Sequence, residues 1–260
     1  MKRYRTSTIV SLVVGLLTIG GIAVALWQAP RGVAQDQQPI LQYPDYPPTP
    51  TVGPNPTAPA LLQSRAPLTA AAFDDAADLS DWEIVDLEFV LPESRSVWSV
   101  RDGRLAQDAT AAAGNPSIQE TVALTGDAGW TNYTVKASFY DFFNGTAGLV
   151  ARYSGTDPTI ASFYRFRILK STFEDTPKRV LEKVEGGVAT TLVAIDEPGF
   201  TEREWHTLTL SVNGGVITAT LDGQVVAQAE DPAPLRAGRA GIYTRAIGGI
   251  LFDDFAVVQP

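Results

Sequence analysis

The chain has 260 residues, enough for one large domain or two small ones, and 45% of them are hydrophobic, so a sizeable core can be buried. It has no cysteine, which excludes disulfides, thiolate metal sites, cysteine nucleophiles and a cysteine-borne lipid anchor; its single histidine, His206, excludes any site that needs two imidazoles. The formal net charge is −9, but four of the 20 basic residues (Lys2, Arg3, Arg5 and Arg31) flank the first apolar run, which leaves 16 basic against 29 acidic residues after Ala34, a net of −13 that disfavours nucleic acid and anionic membrane surfaces as partners.

Residues 1–34 read as a signal anchor or a signal peptide. An apolar helix is expected over 8–27, because Ile9–Trp27 is uncharged and interrupted only by Ser11 and Thr18. At about 1.5 Å per residue it spans about one hydrocarbon core. The basic residues in front of it stay inside by the positive-inside rule, which puts the remainder outside the cytoplasm. The small residues Gly32, Val33 and Ala34 offer a cleavage site, so both outcomes stay open. The product is a single-pass protein held at the cell surface or, if cut, a secreted one.

Residues 35–70 read as a disordered proline-rich stalk. Ten of the 18 prolines lie between Pro30 and Pro67. Proline fixes φ and removes amide donors, so the segment is expected to be extended and semi-rigid, lifting the next domain through a cell envelope.

From residue 71 to 260 the texture is all-β. Turn signals stand at Asp102–Gly103, Asn144–Gly145, Gly186–Gly187, Asn213–Gly215, Asp222–Gly223 and Gly248–Gly249. Between them lie short runs with period-two alternation. In 133–140, Tyr133, Val135, Ala137 and Phe139 share a face; in 163–169, Tyr164, Phe166 and Ile168 oppose Arg165 and Arg167. The runs 207–212, 216–221, 241–244 and 251–258 follow the same rule. One apolar and one polar face per strand predicts antiparallel sheets packed on one side, a single two-sheet sandwich.

Sequence likeness is spread over the whole of this region: Phe73–Asp75, Trp98–Leu105, Trp130–Val135, Gly148–Arg152, Tyr164–Phe166, Leu181–Lys183, Trp205–Leu208, Ile217–Gly223, Gly238–Tyr243 and Phe252–Phe255. In order and spacing these resemble the concanavalin A-like jelly-roll superfamily, in particular the laminin-G-like and 3-keto-disaccharide hydrolase-like (DUF1080) domains of bacterial surface proteins. The resemblance implies two curved antiparallel sheets with a concave face that often binds glycans. It does not imply one function, because the fold hosts lectins, hydrolases and adhesion modules.

Retaining glycosidases need two carboxyl groups about 5–5.5 Å apart. The jelly-roll endoglucanases carry them as Glu-x-Asp-x-x-Glu, and no such run occurs here. Asp86 and Glu88 alternate, but Pro92 interrupts; Glu182 and Glu185 flank Lys183 near a turn; both sets read as solvated charges. His206 reads as a half-packed structural residue rather than the base of a triad. No catalytic residue is assigned.

Two binding expectations follow. Asp74 and Asp75 open the domain, and Asp253 and Asp254 close it; first and last strands are often neighbours in such sandwiches, so a structural calcium ion is one expectation there, and turn-capping or solvated aspartates the other. Aromatic Tyr140 with Asp141 and Asn144, together with Arg152, Arg165, Arg167 and Lys183, supplies the flat polar and aromatic mixture that sugars prefer; core aromatics and a solvated arginine face are the plainer reading. Three functions stay open: an envelope-anchored non-catalytic carbohydrate-binding module, a module that binds a cell-surface protein partner or supports a surface assembly, and a glycoside hydrolase of the 3-keto-disaccharide type.

Overall fold

Alternating apolar residues and glycine turns produce short strands paired by hairpins. The computed structural model describes residues 66–88, 90, 95–109, 119–142, 145–172, 175–246 and 249–260. The expected anchor over 8–27 and the stalk up to residue 65 lie outside the described residues, as does Asn144. Among the described residues no helix is long and apolar enough to cross a membrane.

The strands are β1 (Thr69–Ala71), β2 (Glu83–Asp86), β3 (Val97–Arg101), β4 (Arg104–Ala109), β5 (Gln119–Thr125), β6 (Tyr133–Asp141), β7 (Thr146–Ser154), β8 (Ser162–Leu169), β9 (Arg179–Glu185), β10 (Val188–Ile195), β11 (Trp205–Asn213), β12 (Val216–Leu221), β13 (Gln224–Glu230), β14 (Arg239–Ala246) and β15 (Ile250–Val258). The first sheet runs β13-β12-β11-β6-β15-β4-β3, with β1 also paired to β15; the second runs β10-β9-β8-β7-β14-β5-β2. All strand pairings in both sheets are antiparallel. This is the two-sheet sandwich that the alternation predicts.

Two of the expected turns close two-residue hairpins. Asp102 and Gly103 join β3 to β4 at φ 49° and 71°, and Asp222 and Gly223 join β12 to β13 at φ 51° and 78°. Two successive positive φ values define the two-residue hairpin whose twist matches that of the strands.

The main core lies between the sheets. Tyr133, Val135, Ala137 and Phe139 of β6 meet Leu149 of β7, Phe166 of β8 and Leu181 of β9 there, with Leu208, Leu210 and Val212 of β11. Burying each large side chain contributes about 1.5–3 kcal/mol. A second, smaller apolar cluster of Val122, Leu124, Val150, Tyr153, Phe163, Val184 and Tyr243 belongs to the second sheet alone. By strand alternation it sits on that sheet's outer face, opposite to Ala123, Leu149 and Ile242 of the main core.

Two bulges change which way side chains point. The pairing of β7 with β8 shifts between Ala151 and Ser154, and that of β15 with β6 between Asp253 and Ala256. Arg152 and Asp254, inside these shifts, have φ 54° and 51°. An inserted residue turns the chain and re-aims its neighbours.

Candidate functional site

The outer face of the second sheet carries a cluster of charges above the apolar floor. Arg165 of β8 pairs in register with Glu182 of β9, and Gly148 of β7 lies in register between Arg167 of β8 and Tyr243 of β14. Glu120 of β5 is in register with Arg245 of β14. Period-two alternation therefore brings Arg165, Arg167, Glu182, Glu120, Tyr243 and Arg245 to one surface.

Arg165 is the centre of this group. Its Nε and Nη2 donate to Glu182 Oε2 at 2.9 and 2.7 Å, and its Nη1 donates to Glu120 Oε2 at 2.5 Å. The guanidinium lies 4.8 Å from the centroid of the Tyr243 ring, whose hydroxyl donates to Glu120 Oε1 at 2.9 Å. Arg167 Nε adds a longer bond to Glu182 Oε2 at 3.3 Å. Arg165 is 5% exposed and Glu182 6%, so these are buried ion pairs. Burial alone would push the Glu182 carboxyl up, but Arg165 and then Arg167 outweigh it and hold it below the usual carboxylate range. Burial drives the Tyr243 hydroxyl far above its ordinary value, so it stays a proton donor. The cluster can therefore present fixed hydrogen-bonding groups. So held, Glu182 is a poor proton donor near neutral pH, because a general acid needs a carboxyl with a raised pKa.

The structure separates the other residues singled out from sequence. Arg152 does not join the outer face. Its bulge turns it inward, where Nε donates to Thr131 O, Nη1 to Leu235 O and Nη2 to Asn132 Oδ1 at 2.8, 2.7 and 3.2 Å. Lys183 pairs in register with Tyr164, which is in the main core, so it points to the opposite side of the sheet from Arg165. There Nζ donates to Ala233 O at 2.6 Å and meets Asp231 at 3.1 Å and Glu185 at 3.3 Å. Tyr140 belongs to the first sheet, in ring contact with Phe142 at 4.7 Å and Trp205 at 5.5 Å. Asp141 is buried, and its Oδ2 accepts from the Gly145 amide at 3.0 Å. Among the described residues of the sequence set, Arg165 and Arg167 are brought together on the outer face of the second sheet.

Three of the four aspartates expected to hold calcium have local partners. Asp75 caps the 3-10 turn Ala76–Leu79, accepting from Ala77 N at 2.9 Å. Asp254 Oδ2 accepts from Ser138 Oγ at 3.0 Å, and Asp253 Oδ1 from the Asp254 amide at 2.7 Å. Asp74 is exposed. Among the described residues no group of three or more acidic or histidine side chains has the arrangement to hold a metal ion. Asp86, weighed as half of a carboxylate pair, accepts from the Ser96 amide at 3.3 Å.

Glu120, Tyr243 and Arg245 were not visible as site residues in the sequence. Glu120 lies 45 residues from Arg165 and 123 from Tyr243. The signal present was alternation within Gln119–Thr125, where Glu120 shares a face with Val122 and Leu124, but only strand pairing shows what that face meets.

The model of the 3-keto-alpha-glucoside-1,2-lyase-like domain matches residues 69–255, which takes in every residue of this cluster. The chain belongs to this family. The match covers all but the last three residues of β15 and begins at the first residue of β1. No curated protein matches the chain in sequence. Solved structures similar to this member of the family include a protein of unknown function with a galectin-like fold from Bacillus subtilis, at 15% identity and a TM-score of 0.59, covering 75% of this chain and 96% of that one. Another comes from work in which prominent members of the human gut microbiota express endo-acting O-glycanases to initiate mucin breakdown, at 11% identity and a TM-score of 0.52, covering 75% and 100%. These likenesses identify the jelly-roll fold.

Proposed function

We propose that this family member is a non-catalytic binding module for carbohydrate, held outside the cytoplasm by its N-terminal segment. The outer face of the second sheet is its binding face. One observation carries the reading: Arg165, Glu182, Glu120 and Tyr243 form a pre-organised polar cluster on a strand face whose central carboxylate is held ionised. Rigid strand-borne groups bind a ligand without an ordering cost. A clamped carboxylate is a poor proton donor. The galectin-like fold of one structural relative and the O-glycanase context of another support sugar as the ligand class.

The export reading rests on the basic flank of Ile9–Trp27 and the prolines after it. A second reading, hydrolysis or elimination on a 3-keto-glucoside, is favoured by the description of the family itself.

A glycan array with the wild-type chain and Arg167→Ala tests the first reading, and incubation with a 3-keto-α-glucoside tests the second. Glycan binding that Arg167→Ala weakens, with no turnover, supports the binding module. Turnover lost in Glu182→Gln or Glu120→Gln replaces it with the enzyme. A blank array with reproducible capture of a purified cell-surface protein replaces it with a protein-interaction module.

A further inference from the structure

We infer that ordered water is built into the core between the sheets, at one end of the sandwich, and that the side chains of Gln107 and Thr244 hold it. The inference is independent of what the outer face binds.

The first ground is placement. Gln107 of β4 is in register with Ile250 of β15 on one side and with Trp98 of β3 on the other. Ile250 belongs to the main core, and Trp98 packs against it. Directly opposed residues of paired strands share a face, so Gln107 points inward from the first sheet. Thr244 of β14 is in register with Ala147 of β7 and Thr121 of β5. Ala147 belongs to the main core, so Thr244 points inward from the second sheet. Trp98 Nε1 donates to Thr121 Oγ1 at 3.2 Å, a bond that crosses between the sheets. Gln107 stands beside the donor residue and Thr244 beside the acceptor. The two side chains therefore approach the same part of the gap from opposite sheets.

The second ground is that their polar atoms lack partners. Gln107 and Thr244 are both 0% exposed. Gln107 Oε1, Gln107 Nε2 and Thr244 Oγ1 have no hydrogen-bond partner among the described residues. Thr121, the hydroxyl beside Thr244, is fully used. It bonds Ser96 Oγ at 2.8 Å, accepts from Trp98 and donates to Val85 O at 3.3 Å. A hydroxyl has one donor and two acceptor sites, so nothing is left over for Thr244. Buried polar groups without a partner carry their full desolvation cost, and folded proteins keep few of them.

The third ground is the chemistry of the donor set. Gln107 offers an acceptor oxygen and a donor amide, and Thr244 offers either role. The set carries no charge. The amide N–H groups disfavour a cation, and the amide oxygen disfavours an anion. The ligand must be small and neutral and must both donate and accept, which describes water. Buried waters typically make about three hydrogen bonds to such groups. The sheets pack about 10 Å apart, so a water can bridge a glutamine from one and a threonine from the other. Thr121 and Thr244 alternate along β5 and β14 with Glu120, Tyr243 and Arg245 of the outer face. The water thus ties β4 of the first sheet to the strands that carry that face.

The test uses the full chain in detergent. Rotating-frame cross-relaxation NMR separates bound water from proton exchange by sign, and the Gln107 side-chain amide should show a dipolar cross-peak to water. In urea titrations, Gln107→Leu and Thr244→Val should each raise the unfolding equilibrium constant about fivefold, because each strips a bond from the water and leaves the other side chain unpaired. The double variant should raise it by less than the product of the two single effects, because both remove the same water. Dry, orphaned groups give the opposite sign: either apolar replacement lowers the unfolding constant, and no dipolar cross-peak appears. That result overturns the inference, and so do single effects that simply multiply. If a variant does not fold, the wild-type cross-peak decides, its presence supporting the water and its absence overturning it.

Discussion

Nδ1 of His206 lies 2.7 Å from Asp222 Oδ2, and the other ring nitrogen lies 2.8 Å from the carbonyl oxygen of Thr201. A carboxylate and a carbonyl can only accept, so the ring makes both bonds as an imidazolium, with a proton on each nitrogen. The ring packs against Phe139 and Phe200, whose centroids are 5.5 and 5.9 Å away. It thus ties the Asp222–Gly223 hairpin to the segment that leads into β11.

Burial would lower the His206 pKa, but Asp222 and the Thr201 carbonyl outweigh it and raise it. A raised folded pKa contributes stability that is fully present below the unfolded value of about 6.5 and is lost as pH rises through the higher folded value. Thermal melts should show a lower Tm at pH 9 than at pH 6.5. With one histidine in the chain, an imidazole NMR titration reads the same event without overlap. Asp222→Ala should cost about 1–2 kcal/mol at pH 6.5 and flatten this part of the profile. A neutral single tautomer at pH 6.5 would contradict the geometry.

Arg152 is a structural residue, and its replacement separates packing from binding. Its fork spans Thr131 O, Leu235 O and Asn132 Oδ1, and its amide donates to the Tyr133 hydroxyl. Lysine keeps the charge but cannot reach three acceptors in one plane. Arg152→Lys should lower unfolding free energy by about 2 kcal/mol in urea titrations. Glycan affinity of the folded fraction should stay within about twofold. A large affinity loss at unchanged stability would move Arg152 into the binding face.

Gly148→Ala tests the floor of that face. The added methyl would press on the Phe166 carbonyl and the Tyr243 ring, both held by the sheet. Overpacking of this kind costs about 1–3 kcal/mol. Chemical denaturation should show that loss, and near-ultraviolet circular dichroism should report the shifted Tyr243 ring. An alanine accommodated without cost would mean that β7 and β14 can spread.

Strands and their faces were legible in the sequence because alternation is local. Tyr133, Val135, Ala137 and Phe139 line the core as their period requires, and Asp102–Gly103 and Asp222–Gly223 turn where they should. The assembly of the candidate face was not legible. Arg152 and Asp254 sit in bulges, and one inserted residue reverses the side to which a side chain points. Around Lys183 the run Val180–Val184 does not alternate, so its charge gave no hint that it pairs with Asp231 between the sheets. Glu120 and Tyr243 meet Arg165 through pairings between strands far apart in the chain.

Glu182 decides between the binding and the catalytic readings, and its titration can be followed through stability. Burial pushes its carboxyl up, and Arg165 followed by Arg167 brings it below the ordinary value. A depressed folded pKa contributes stability that is present above the unfolded value of about 4.3 and is lost as pH falls through the folded one. The wild-type Tm should therefore hold down to about pH 5 and drop below it. Glu182→Gln removes one of the two carboxylates that neutralise buried Arg165. Breaking a buried pair from one side costs about 3 kcal/mol. The variant should be destabilised at pH 7 and lose part of the acid-dependent drop. An enzyme that used this carboxyl as a proton donor would need it protonated near neutral pH. A Tm that rises on acidification from pH 7 to 5 would point to that, and against the ionised clamp on which the binding reading stands.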